Sequence, residues 1–261
     1  MIRYIDIGLN LFSDQFKGRE EEIMNESLRC ETGFIITGSS ERSSKEAADF
    51  ALSHSGIYST AGIHPHGARN ATESTYKVLE ELLARPSTVA VGECGLDYDR
   101  MFSPADVQRN VFRRHLEIAK KTGKPLFLHE RSAADDFYQI LSEYPEQAKR
   151  AVVHCYTGDR KTAERYLSLG CMIGITGWIC DDRRNAELLG AIKVIPFNRL
   201  MAETDAPYLI PRGIKGLKNP NLPQNIKYVV QKIAKEKYAN EEQVRQILLD
   251  NTKRFFSIYK R

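Results

Sequence analysis

The sequence lacks a long apolar run. Nowhere in its 261 residues is there a stretch able to span a bilayer. Residues 1–20 interleave Arg3, Asp6, Asp14, Lys17, Arg19 and Glu20 with short apolar segments, which leaves no room for the apolar region of a secretory leader. Paired cysteines are missing too. The five cysteines, Cys30, Cys94, Cys155, Cys171 and Cys180, are odd in number, widely spaced and never in a CxxC arrangement. That argues against a disulfide framework and a zinc ribbon. Both absences point to a reducing, cytoplasmic setting. There is no repeat, low-complexity tract or flexible linker, and no heptad seam, so a monomer is the default expectation. Nor is there a large excess of one charge. Lys and Arg number 38 against 34 Asp and Glu, a formal +4 that suits an anionic partner without requiring one.

What the chain does contain is an alternation. With 42% hydrophobic and 28% charged residues it can build one large core, and α/β barrels of about 250 residues routinely form one domain, here residues 1–261. Apolar runs too short for helices recur at residues 2–7, 33–37, 57–61, 88–92, 125–128, 151–153, 171–174 and 199–202. Helical segments lie between them. In one, Ser103-Pro104 opens a run in which Val107, Val111, Phe112, Ile118 and Ala119 recur at helical spacing until Gly123 closes it. Eight near-continuous apolar strands alternating with amphipathic helices predict a parallel sheet closed as a (β/α)8 barrel. A doubly wound open sheet is the alternative. Two further C-terminal helices are expected over residues 226–237 and 241–250, before an aromatic end at Phe255, Phe256 and Tyr259.

In such a barrel the carboxyl ends of the strands carry the chemistry. Here those ends are polar. Strand three ends in Ile63-His64-Pro65-His66, strand four in the string Gly92 to Asp97, strand five in His129-Glu130-Arg131, strand six in His154 and strand eight in Glu203-Thr204-Asp205. Imidazoles and carboxylates converging on one mouth form an N/O ligand set suited to Mg²⁺, Mn²⁺ or Zn²⁺. Phosphate esters need a cation on their oxygens and a water of lowered pKa, with a carboxylate to take its proton. Glu93, His129 and His154 are expected to hold the metal. Asp205, alternately a weak ligand, orients or deprotonates the water, with Glu203 beside it, and His64 and His66 sit at the rim and touch the phosphate. His54, at a helix end before Gly56, and His115, four residues after Val111, read as structural histidines. Cys94 and Cys155 alternate with the ligands along their strands and read as packing residues.

The loop after strand seven puts the chain's one tryptophan, Trp178, close to Arg183 and Arg184, a pairing able to stack a base and bind phosphate. From Ala206 to Lys235 there is no acidic residue, whereas Arg212, Lys215, Lys218, Lys227, Lys232 and Lys235 are present. Arg212 to Lys218 are expected to overhang the active mouth and contact nucleic acid.

Six strings occur in order: Ser59 to His66 (STAGIHPH), Gly92 to Asp97 (GECGLD), Leu128-His129, Val153 to Gly158 (VHCYTG), Gly174 to Trp178 (GITGW) and Glu203 to Tyr208 (ETDAPY). Together they resemble the TatD family of metal-dependent deoxyribonucleases over essentially the whole chain. The resemblance implies an amidohydrolase-type (β/α)8 barrel and a 3′-to-5′ exonuclease acting on single-stranded DNA and RNA with Mg²⁺, in repair or turnover. Two departures stand out. Most of the family carries an HxH pair at the end of strand one, where this chain has Gly8 and Asn10, as in the family's bacterial branch. That implies fewer protein ligands, more water and a preference for Mg²⁺ over tightly held Zn²⁺. The basic loop reads Lys218-Asn219-Pro220-Asn221 where relatives commonly carry Arg-Asn-Glu-Pro. Rival readings are a hydrolase of a small ester or amide, since fold does not fix substrate, and a metal-dependent binding module without catalysis. Retention of the carboxylates argues against the second.

Overall fold

The computed structural model describes residues 1–258; Tyr259 of the aromatic tail lies outside them. Eight strands form one sheet in sequential order: β1 (Tyr4–Leu9), β2 (Thr32–Ile36), β3 (Tyr58–Ala61), β4 (Thr88–Asp97), β5 (Leu126–Arg131), β6 (Ala151–Val153), β7 (Met172–Ile175) and β8 (Leu200–Ala202). The pairs β3–β4, β4–β5, β5–β6 and β7–β8 are parallel. The last strand returns to the first through a parallel bridge between Leu9 and Ala206. This is the strand order and closure of a (β/α)8 barrel, and the doubly wound alternative is set aside. Every residue of β2, β4, β6, β7 and β8 is buried. These strands are covered on both faces, which is why they read as continuous apolar runs and not as alternating ones.

The described residues also form ten α-helices: α1 (Glu20–Arg29), α2 (Glu41–Ser53), α3 (Glu73–Leu83), α4 (Ala105–Thr122), α5 (Ala134–Ser142), α6 (Pro145–Ala148), α7 (Arg160–Ser168), α8 (Ala186–Ile192), α9 (Ile226–Glu236) and α10 (Glu241–Phe256), the last two beyond β8. Their ends follow local chemistry. Ser40 and Thr72 cap α2 and α3 by reciprocal hydrogen bonds with Ser43 and Thr75. Pro104 precedes α4, and Gly123, at φ 67°, closes it by donating to the Ala119 carbonyl. None of the described helices is long and apolar enough to cross a membrane.

The chain divides into two compact units. One comprises Met1–Ile35, Cys155–Leu167 and the part from Ile173 onward; the other comprises Ile36–His154 and Ser168–Met172. In the first, the apolar faces of α9 and α10 supply Val229, Ile233, Leu248 and Phe256 to the core. Here α10 runs past its expected end at Asp250. The polar pair Asn251-Thr252 looks like a helix stop, yet both are buried, and Asn251 donates to the carbonyls of Phe197 and Leu200 at the start of β8. In the second unit, Phe112 of α4 stacks on Phe137 of α5 with centroids 5.1 Å apart, and Phe127 and Leu128 of β5 are wholly buried.

Candidate active site

Strand β4 runs on from Gly92 to Asp97 as extended, wholly buried backbone. Its register slips once: Val91 pairs with Leu126 but Cys94 with Leu128, so three steps of β4 match two of β5. The slip is a bulge at Gly92-Glu93, and bulges re-aim side chains. Glycines make it feasible. A Cβ at Gly92 (φ 136°) would lie 2.0 Å from the Phe127 carbonyl oxygen, and one at Gly95 (φ 143°) 1.9 Å from that of His129. Gly62, just beyond β3, rests against the same bulge, where a Cβ would come within 2.6 Å of Gly92 Cα. The ends of three neighbouring strands are thereby drawn together.

Three imidazoles converge on one carboxylate oxygen as a result. Glu93 Oε1 lies 2.8 Å from His154 Nε2, 3.2 Å from His129 Nδ1 and 3.4 Å from His64 Nε2. His129 reaches a second carboxylate with its other nitrogen: Nε2 is 3.3 Å from Asp97 Oδ2, which also sits 2.8 Å from His66 Nε2. The other Asp97 oxygen accepts from the backbone N–H groups of Asp99 and Arg100. His154 stacks on Phe127 with centroids 4.4 Å apart. One step back from the cluster, His115 donates from Nδ1 to the Val111 carbonyl (2.7 Å) and accepts at Nε2 from the Ile63 N–H (3.0 Å). It pins the backbone directly before His64.

The electrostatics follow from this crowding. Burial pushes the Glu93 carboxyl up, but the surrounding histidines outweigh it and hold Glu93 well below the usual range, ionised. Burial keeps His64 neutral, its pKa lowered to about 3 against the opposing pull of Glu93. For His129, burial acts downward, and the Asp97 and Glu93 carboxylates on its two nitrogens prevail and raise it. Burial likewise pushes the Cys94 thiol well up, so it is no thiolate nucleophile.

This donor set suits a divalent metal ion. His64, Glu93 and His129 each offer a ligand atom, all within 4.8 Å of one another. A buried ionised carboxylate beside imidazole lone pairs is the N/O chemistry such ions take.

The other unit carries the remaining expected residues. Glu203 is buried, and its Oε1 accepts the Cys155 N–H at 2.5 Å. Thr204 donates its N–H and hydroxyl to the buried Asp6. Asp205, at φ 53°, accepts at Oδ1 from Asn10 Nδ2 at 2.8 Å. Asn10, the residue just past β1, thus contacts a carboxylate. Arg183, Arg184 and Arg212 gather around the buried Asp181. The Trp178 ring lies under the Arg184 guanidinium, 3.7 Å from its centroid. Lys218 is exposed.

The family model described as TatD related DNase matches residues 5–257. The chain belongs to the TatD related DNase family. Among curated TatD-family relatives, the 3′-5′ ssDNA/RNA exonuclease TatD of Rahnella sp. (strain Y9602) is 41% identical over 98% of this chain and 99% of its own length. That of Escherichia coli K12 is 40% identical over 88% and 89%. Two solved TatD-family structures superpose closely. The TatD homologue YjjV of Escherichia coli K12 gives a TM-score of 0.89 at 26% identity, covering 98% of this chain and 99% of that one. The TatD family hydrolase of Entamoeba histolytica gives 0.86 at 25%, covering 97% and 98%. With the TatD barrel in view, the structure brings Glu93, His129, His154, His64 and His66 into one cluster. His64 joins the cluster itself, where the sequence suggested the rim. Sequence reasoning left out Asp97, though its spacing of four from Glu93 along one strand is a same-face signal. It also passed over Asp181, whose partners come from two loops.

Proposed function

We propose that this TatD-family chain is a metal-dependent exonuclease that removes nucleotides from the 3′ end of single-stranded DNA and RNA, with Mg²⁺ as its ion, working as a cytoplasmic monomer. The observation that carries this reading is the convergence of His64, His129 and His154 on Glu93 Oε1. The exonuclease activity for which the curated relatives are named supports the substrate.

Glu93, His129 and His154 would hold the ion, with His64 completing the donor shell. Bound there, a divalent ion would offset the charge on the phosphate oxygens and lower the pKa of an attacking water. The rest falls to the chain. Asp97 anchors His129 through Nε2 and so orients its Nδ1 toward Glu93, an outer partner that fixes a ligand ring. A carboxylate must take the water's proton as the water oxygen bonds to phosphorus, the role expected of Asp205, whose Oδ1 accepts from Asn10. The P–O3′ bond breaks, and the departing 3′ oxygen takes a proton from solvent. Glu203 acts through the backbone, holding the chain at Cys155 immediately after His154. His66, its side chain 36% exposed, would meet the phosphate.

A 5′-labelled single-stranded oligonucleotide tests the proposal. With Mg²⁺ the wild type should produce a ladder shortening from the 3′ end. EDTA should abolish it, and Glu93→Ala should reduce it by about a thousandfold or more. An intact oligonucleotide under Mg²⁺ and Mn²⁺, with metal still bound, would remove the nuclease assignment and turn attention to small esters.

A further inference from the structure

The loops after β7 and β8 meet at Gly177, where a Cβ would lie 2.1 Å from the Leu209 carbonyl oxygen. This contact brings three arginines to one carboxylate. Arg183 holds Asp181 in a fork, Nε to Oδ1 and Nη2 to Oδ2, both at 2.7 Å. Arg184 Nε donates to Oδ2 at 3.0 Å, and Arg212 Nε lies 3.4 Å from the same oxygen. The Asp181 side chain is 4% exposed, while those of Arg183, Arg184 and Arg212 are 65%, 46% and 56% exposed. Three cations against one anion leave two positive charges, held by their inner edges with further N–H donors turned outward.

Two cavities flank this junction and share Asp181, Ile210, Arg212 and Asn219. One, of about 310 Å³, is lined by Trp178, Arg184 and Tyr208. The other, of about 490 Å³, is lined by Arg183, Ile214 and Leu217. Asp182 also faces the second cavity, but Lys232 Nζ lies 3.6 Å from it and Asn185 donates to it. Trp178 is committed to Arg184: it carries the guanidinium on its face and donates from Nε1 to the Arg184 carbonyl. Tyr208 is the aromatic left facing outward, 48% exposed at the rim of the smaller cavity.

We infer that this junction is a two-nucleotide subsite for single-stranded nucleic acid: a phosphodiester sits on the outward edges of Arg184 and Arg212, a base stacks on Tyr208, and the next nucleotide lies in the neighbouring cavity. Asp181 is its positioning residue. It does not touch the strand; it sets the guanidinium planes of Arg183 and Arg212, long, solvated side chains, and fixes that of Arg184 together with the Trp178 ring. The inference rests on the nuclease reading for its ligand but not for its geometry.

The two can be separated by measuring binding and turnover side by side. Binding is followed by anisotropy of a labelled, hydrolysis-resistant phosphorothioate oligothymidylate with Mg²⁺ present, over a salt series. Asp181→Asn removes a negative charge and so raises the net charge by one. A diffuse basic surface would then bind more tightly, whereas an organised subsite binds about fivefold or more weakly. Arg212→Ala should weaken binding and reduce the salt slope by about 0.7, one phosphate contact on a single strand. Tyr208→Ala should cost about fivefold or more and Tyr208→Phe little, since stacking needs the ring alone. On a cleavable strand these variants should raise KM and spare kcat. If Asp181→Asn folds and binds as tightly as wild type, or if Arg212→Ala and Tyr208→Ala leave affinity and salt slope unchanged while wild type digests the strand, the subsite is refuted and the nuclease stands. A wild type that neither binds nor digests overturns both.

Discussion

At the residue scale, His115 illustrates how a side chain outside the chemistry can govern it. Its ring bridges the Val111 carbonyl and the Ile63 N–H, an arrangement that requires the neutral, Nδ1-protonated tautomer. Burial lowers its pKa from 6.5 to about 4. The unfolded chain therefore takes up a proton on acidification that the folded chain refuses. The stability this group confers is complete above pH 6.5 and is lost as pH falls toward about 4, up to about 3 kcal/mol in all. Denaturant unfolding of wild type and His115→Gln across that range should show a steeper acid loss for wild type, and parallel profiles would refute the assignment. The sequence marked His115 as structural from its place four residues after Val111, and that much was legible. Its hold on the residue before His64 was not, because Ile63 lies 52 positions away and only the packing of α4 against β4 and the turn at residues 65–70 brings the two together. Asp97 was hidden for a different reason. It stood in a recognised string, but its role depends on two histidines from other strands.

At the scale of elements, β4 decides the geometry. Its apolar run read as a strand over residues 88–92 with the string Gly92 to Asp97 at its end, and glycine ordinarily weakens strands and packs nothing. The structure gives the opposite outcome because those glycines let β5 approach within a distance no Cβ permits. Gly95→Ala would combine a φ of 143° with a Cβ 1.9 Å from the His129 carbonyl. Backbone strain alone is worth about 1–3 kcal/mol, and the clash falls on the residue that bridges Glu93 and Asp97. The variant should melt several degrees below wild type and lose nearly all turnover; a fully active, equally stable Gly95→Ala would contradict the bulge. The helices were more legible. The cap signals at Pro104 and Gly123 fixed α4 to within a residue or two, whereas α10 outran its apolar pattern because Asn251 spends its amide on the carbonyls before and within β8.

At the scale of the molecule, the alternation of buried strands with amphipathic helices was plain in the sequence, and the sequential strand order bears it out. What pattern could not supply was the grouping of ligands, since hydropathy carries no information on which strand ends converge. A buried ionised carboxylate ringed by imidazoles is costly to hold without a cation. Metal should therefore stabilise the whole fold: thermal melting with Mn²⁺ or Mg²⁺ at about a hundred times its dissociation constant should gain about 2.7 kcal/mol, several degrees. Glu93→Ala should abolish the gain. An identical shift in both proteins would place the ion elsewhere. The Leu9–Ala206 bridge has a consequence of another kind. With the chain beyond β8 already paired to the end of β1, a neighbouring chain in a crowded solution finds less free strand edge there on which to add and begin a fibril.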